Sequence, residues 1–101
     1  MIVYNTTFVI DTSCANVFLE FIENQWIPKA LESGLVVESK ILKMIEELDD
    51  KNATFSVQLF FKHLNDLEVF QKKCENVINR DLTLILNNQY AKFSTKLWVI
   101  G

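Results

Sequence analysis

Few residues of this chain combine the type and the spacing that enzymes use for chemistry. His63 is the only histidine, which excludes metal sites built from several histidines and leaves histidine-based catalysis to one residue beside a predicted strand end. We interpret His63 as an exposed loop residue.

Cys14 lies near the predicted start of a helix, where the helix dipole favours a nucleophilic thiolate. It is also in phase with the apolar stripe of that helix, so we favour a packing role. Cys74 lies mid-helix, and only packing suits it.

A cluster of carboxylates offers the other possible chemistry, because their oxygens could bind a hard cation. The cluster lacks the spacing and the glycine of a calcium-binding loop, so a solvated acidic turn is the better interpretation. No metal, cofactor or catalytic residue is therefore predicted. The cluster consists of Glu46, Glu47, Asp49 and Asp50.

Composition restricts the class of protein. The chain has 101 residues, of which 50% are hydrophobic, so we expect a single domain over residues 1–101. The first residues have no features of a signal peptide, and no apolar run is long enough to span a bilayer, so we expect a cytoplasmic protein with reduced thiols. A net charge of −3 disfavours binding to nucleic acid.

The first half of the chain predicts a strand followed by a helix. Ile2–Ile10 is rich in β-branched and aromatic residues and alternates, with its more apolar phase facing the core. Three possible N-caps at residues 11–13 precede a run with helical spacing. Pro28 predicts a break or kink just before it, and Gly34 is placed to end the helix.

The second half predicts a hairpin, a helix and a last strand. Residues 35–48 and 53–62 alternate around a polar turn, which is typical of a β-hairpin. Asn65 and Glu68 resemble a capping box at the start of the second helix, and Asn87–Asn88 is a plausible stop. Residues 90–100 alternate again.

The predicted order, βαββαβ, is the α+β arrangement called ferredoxin-like, in which a four-stranded antiparallel sheet carries two helices on one face. The other face is then open, with polar and large apolar side chains together. Solvated faces seldom carry Trp and Phe together, so this face is our candidate interface or ligand site. Its predicted members are Val3, Asn5, Thr7, Glu38, Lys40, Leu42, Ser56, Gln58, Phe60, Lys96 and Trp98.

The open face predicts a homodimer. Two copies that pack their sheets face to face would bury the apolar members, while charged members could pair across the two-fold axis. The leading hypothesis is a non-enzymatic homodimeric interaction or small-ligand-binding module. The alternative is a monomer in which lysine stems shield the face.

RNA binding and ligand sensing also use this topology. RNA-binding domains stack bases on aromatic residues of the two central strands, where this sequence offers only Phe60 on the open phase. Ligand-sensing modules usually carry glycine in the first strand–helix turn, which here is Asp11-Thr12-Ser13. Both classes are disfavoured.

Three short segments carry a resemblance to a known family. They are the opening Met1–Phe8, the Trp26-Ile27-Pro28 step followed by Leu31, Ser33 and Gly34, and the Phe55-x-x-Gln58 of the third strand. With these, most of the chain resembles a family of short bacterial proteins classed as a domain of unknown function. That resemblance implies a ferredoxin-like fold of the dimeric α+β-barrel type and no established activity.

Dimeric barrels of this type include small monooxygenases and haem-degrading enzymes, which work in a cavity between helices and sheet. Some of them use an asparagine, a tryptophan and a histidine, which Asn5, Trp98 and His63 resemble in type but not in predicted placement. We therefore favour a structural or interface role for Asn5. A small enzyme or cofactor binder that uses such a cavity remains the alternative function.

Overall fold

A four-stranded antiparallel sheet forms the centre of the computed structural model, which describes residues 1–47, 49–87 and 89–101. The spatial order is β2-β3-β1-β4, so β1 and β3 are central and β2 and β4 are edges. This topology confirms the predicted α+β, ferredoxin-like fold. The strands are β1 (Ile2–Asp11), β2 (Glu38–Lys43), β3 (Asn52–Phe61) and β4 (Tyr90–Trp98).

The first helical stretch follows β1 directly. Its start is capped as expected, because a carboxylate oxygen of Asp11 accepts a hydrogen bond from the backbone N–H of Ser13 at 2.9 Å. The Ser13 hydroxyl, which also donates to Asp11, and this backbone bond together hold the pKa of that carboxyl below its ordinary value. The stretch comprises a 3-10 turn (Thr12–Cys14), α1 (Ala15–Phe21), a π-helical turn (Ile22–Trp26) and α2 (Ile27–Glu32).

The predicted break at Pro28 takes the form of the π-helical turn, and the chain stays helical through it. The N–H of Ile27 bonds to the carbonyl of Ile22, five residues back, immediately before the proline that has no N–H to donate. Gly34 ends α2 as predicted, with a φ of 77° and its N–H bonded to the carbonyl of Leu31 at 3.1 Å.

The second helical stretch comprises α3 (Leu64–Phe70), a π-helical turn (Gln71–Glu75) and α4 (Asn76–Ile85). The predicted capping box is wrong, because the residue before the helix is His63, and its side chain makes no capping bond. Asn87 has a φ of 52°, which confirms the predicted left-handed residue at the helix end. The other predicted stop residue, Asn88, lies outside the described residues.

The second strand is shorter than predicted, because β2 pairs with β3 only from Glu38 to Lys43. The predicted end of that strand, Leu48, lies outside the described residues.

The helices pack on one face of the sheet, and the core there is largely aromatic and aliphatic. Its fully buried side chains include Phe8, Phe18, Ile22, Phe55, Leu59, Phe61, Leu67, Phe70 and Leu82.

The face assigned to β4 from the sequence is wrong. Directly opposed residues of antiparallel strands point to the same side of the sheet. Lys96 lies opposite Tyr4 and Trp98 lies opposite Ile2, so both are on the helix side rather than on the open face. β4 is an edge strand with both faces largely exposed, so apolar character does not mark a buried side on it.

Candidate functional site

The open face of the sheet brings together most of the predicted site residues. Asn5 of β1 lies opposite Gln58 of β3, and Lys40 of β2 lies opposite the same Gln58. By the same register the predicted members from β1, β2 and β3 share this face, and only the two from β4 do not. The members placed here are Val3, Asn5, Thr7, Glu38, Lys40, Leu42, Ser56, Gln58 and Phe60.

A polar network occupies the middle of this face. The side-chain oxygen of Asn5 accepts hydrogen bonds from the hydroxyl of Ser56 and from the amide of Gln58, the latter at 3.3 Å. The amide of Asn5 in turn donates to the hydroxyl of Thr7 at 3.4 Å. One asparagine thus links side chains of both central strands.

Large apolar side chains flank the polar network. Leu97 lies opposite Val3 and Phe93 lies opposite Thr7, so β4 contributes these two residues to the open face. The exposed fractions are 45% for Leu97, 61% for Phe93 and 47% for Leu42. Sequence reasoning missed Phe93 and Leu97, although the predicted topology already made β4 an edge strand, on which an apolar phase need not face the core.

The β2 edge of the face carries charge. Glu38 lies opposite Phe60, and the ammonium group of Lys40 lies 5.6 Å from the centre of the Phe60 ring. This is a cation–π distance, so Lys40 covers part of the aromatic surface of Phe60.

A hollow of about 320 Å³ opens on the same face near the β2–β3 connection. Thr7 and Val9 of β1 and Thr54 of β3 line it from the sheet, while Phe93 and Met44 line it from the two sides. Its rim is polar and comprises Glu47, Asp49 and Asn52. A smaller hollow, lined in part by Leu42 and Ser56, adjoins it through shared residues.

The acidic cluster is only partly solvated. Glu47 accepts hydrogen bonds from the backbone N–H of Thr54 at 2.7 Å and from its hydroxyl at 3.0 Å, and its side chain is 17% exposed. Asp49 accepts from the N–H of Lys51 at 2.8 Å, which forms the polar turn. Across the described residues, no three His, Cys, Asp or Glu side chains are grouped so that they could hold a metal ion.

A second polar cluster lies on the helix side of the sheet. The Tyr4 hydroxyl donates to a carboxylate oxygen of Glu75 at 2.6 Å and accepts from the amide of Gln71 at 3.4 Å. The π-helical turn Gln71–Glu75 supplies both partners. Burial, followed by the hydrogen bond to Glu75, raises the pKa of Tyr4 above its ordinary value.

The remaining candidate residues lie apart from one another. His63 is exposed just before α3, whereas Asn5 lies on the open face and Trp98 on the helix side, so the three residues do not form a common site. Cys14 and Cys74 are free thiols, each partly buried against the core, in agreement with the packing interpretation. None of the described helices is long and apolar enough to cross a membrane.

Comparison with protein families gives one match over nearly the whole chain. A family model described as a domain of unknown function (DUF4286) matches residues 1–100, which agrees with the resemblance seen in the sequence. Among curated proteins, no sequence matches this chain.

Solved structures with a similar fold share little sequence with the chain. A dimeric ferredoxin-like protein from an uncultured marine organism has a TM-score of 0.76 at 10% identity, covering 99% of this chain and 95% of its own. SnoaB, a cofactor-independent oxygenase from Streptomyces nogalater, has a TM-score of 0.65 at 10% identity over 99% and 94%. An antibiotic biosynthesis monooxygenase has a TM-score of 0.66 at 11% identity over 100% of both chains. At these identities the likeness shows the fold alone.

Proposed function

The chain belongs to the DUF4286 family, and we propose that it is a homodimeric, non-enzymatic interaction or small-ligand-binding module whose two copies associate through the open sheet face. One similar structure is described as a dimeric ferredoxin-like protein, which supports the proposal. The face also has the composition of an association surface.

The observation that carries the proposal is the group of exposed apolar side chains around the Asn5 network. Leu42, Phe93 and Leu97 lie on one face of the sheet and are each 45% exposed or more. An apolar surface with polar residues among and around it marks an association site more often than a solvated one. Packing two such faces together removes these side chains from water, while Glu38 and Lys40 at the β2 edge can form ion pairs with the other copy.

The monomer alternative requires lysine stems to shield the face. Lys40 does cover Phe60, at 5.6 Å from the ring centre. On β4, however, Lys92 and Lys96 lie opposite Phe8 and Tyr4, on the helix side, and therefore cannot cover the apolar residues of the open face. Shielding by lysine thus serves one edge of the face and leaves the β4 edge uncovered.

The mass of the protein in solution tests the proposal. Sedimentation equilibrium across a range of protein concentrations is expected to give twice the 11.8 kDa of one chain, with dissociation only on dilution. A monomer at every concentration would rule out the homodimer.

An enzyme or cofactor binder is the second candidate, since two of the similar structures are described as an oxygenase and a monooxygenase. Such a function would use a cavity between helices and sheet. In this chain Phe8, Phe18 and Phe55 pack together in that space, with ring centres 5.1 Å apart from Phe8 to Phe18 and from Phe18 to Phe55. A thermal-shift screen with haem, flavin and aromatic metabolites tests this candidate, because a ligand at 100 times its dissociation constant adds about 2.7 kcal/mol of stability. No shift with any of them would exclude cofactor binding.

We also propose a cytoplasmic location. The free thiols of Cys14 and Cys74 support it, because reducing compartments keep cysteines unpaired. Fractionation of cells that express the protein tests the location, and recovery with secreted proteins would contradict it.

A further inference from the structure

We propose that the hollow beside the β2–β3 connection binds a small organic cation, with an apolar body such as a phenyl ring and a protonated amine. The inference deepens the proposed function by naming a ligand class. It rests on the ligand-binding part of that function. One copy of the chain supplies the hollow, and the proposed dimer would also bury one of its walls, Phe93.

The walls of the hollow select an apolar body. Val9 forms part of the sheet surface beneath it, and Met44 and Phe93 stand at its two sides, 47% and 61% exposed. A flexible thioether and an aromatic ring are well suited to contact a planar apolar group. At about 320 Å³ the hollow lies at the lower end of the range for small-molecule sites, so only a small ligand fits.

The rim selects a positive charge. Glu47 reaches the rim with its carboxylate fixed by the N–H and the hydroxyl of Thr54, at 2.7 and 3.0 Å. Each of its oxygens has a further lone pair that can accept a hydrogen bond from an ammonium group. Because the side chain is only 17% exposed, water screens this charge less than it screens a surface carboxylate.

The surrounding charges favour a cation as well. Lys43 forms an ion pair with Glu47 at 3.8 Å, which is beyond hydrogen-bond distance, so it does not occupy the acceptor positions that an ammonium ligand would use. Asp49 adds a second carboxylate to the rim. Residues 43–51 together carry four carboxylates and two lysines, which disfavours an anionic ligand here.

Three probes with the same phenyl body test the charge preference: 2-phenylethylammonium, 2-phenylethanol and 3-phenylpropanoate. Titrations followed by amide shifts in ¹⁵N–¹H spectra are expected to locate binding at Thr7, Val9, Thr54 and Phe93. The ammonium probe is expected to bind about tenfold more tightly than the alcohol, as a charge-assisted hydrogen bond would give. The carboxylate probe is expected to bind most weakly.

Two substitutions of matched charge test the role of Glu47. Glu47→Gln keeps an oxygen that can accept from Thr54, so the fold should persist while the preference for the ammonium probe disappears. Glu46→Gln removes the same charge from an exposed neighbouring position and should keep the preference. Phe93→Ala, on the exposed edge strand, should weaken all three probes by removing one wall.

The ligand proposal is wrong if the ammonium probe binds no more tightly than the alcohol, if neither probe shifts these amides, or if the two glutamine variants behave alike. Light scattering on the same samples separates this result from the fate of the dimer. A monomer that still prefers the ammonium probe would refute the dimer and support the site. A dimer that shows no preference for the ammonium probe would support the dimer and refute the site.

Discussion

Trp98 lies directly opposite Ile2 in the pairing of β1 with β4, yet Trp98 is 67% exposed and Ile2 is 2% exposed. The helices therefore cover β1 fully but leave the neighbouring edge strand uncovered on the same side. Leu97, the preceding residue, points to the opposite side and lies against Val3 on the open face. Leu97 and Trp98 are adjacent in β4 and therefore lie on opposite sides of the sheet.

Leu97→Lys is expected to dissociate the proposed homodimer. The change places a charge among apolar side chains that association would remove from water, and we expect association about 30-fold weaker or more, which corresponds to about 2 kcal/mol. Sedimentation equilibrium measures the effect. Trp98→Lys is the matched control, with the same new charge one residue away on the helix side, and it should leave the dimer intact. Dissociation by the Trp98 variant alone would place the interface on the helix side instead.

The central part of the fold could be predicted because its signals are local. The alternation along residues 2–10 and 53–61 marks strands that are buried on one side and partly exposed on the other, and the structure has that pattern in both. Gly34 and Asn87 likewise mark helix ends, because few residue types adopt a positive φ without strain.

The edge of the sheet could not be predicted in the same way. On β4 both phases are exposed, so which one shares the open face depends on pairing with β1 and not on hydrophobicity. The hollow was missed for a related reason. Met44 and Glu47 lie in the connection after β2 and Phe93 lies on β4, and only the folded chain brings all three near Thr54.

Asn5→Ala is expected to report whether the open face is buried. The change removes the acceptor for the Ser56 hydroxyl and the Gln58 amide. In a dimer that excludes water, leaving these donors unpaired should cost about 1–3 kcal/mol, whereas on a solvated face water would replace the bonds at little cost. Urea denaturation at two protein concentrations measures the difference. Thr95→Ala, at the exposed position opposite Asn5, is the control, and equal losses for the two variants would argue against a special role for the network.

Gly34→Ala is expected to destabilise the fold by about 1–2 kcal/mol, the usual penalty for an L-residue with left-handed backbone. The φ of 77° is the whole cause, since a Cβ at this position would meet no atom within 4 Å. Gly34→Asn should cost less, because asparagine tolerates this conformation, as Asn87 does at the end of α4. Urea denaturation measures the free energy of unfolding of the wild type and the two variants. An alanine variant as stable as the asparagine variant would contradict the argument.

Tyr4→Phe is expected to lower stability near neutral pH by about 1–2 kcal/mol, because the phenol donates to Glu75 across the helix–sheet boundary. It should also change how stability depends on alkaline pH. Burial and Glu75 raise the pKa of Tyr4 above its ordinary value of 10.0, so the folded state holds the phenolic proton to a higher pH than the unfolded chain does.

The stabilisation from this raised pKa is complete below pH 10.0 and is lost as the pH rises through the higher pKa of the folded state. Denaturation of the wild type and the variant between neutral pH and about pH 11 should therefore show their free energies of unfolding converging at the alkaline end. Glu75→Gln should give a shallower alkaline decline than the wild type, since it removes one cause of the raised pKa. If the wild type and Tyr4→Phe lose stability in parallel above pH 10.0, the pKa of Tyr4 is not raised in the folded state and the expectation is wrong.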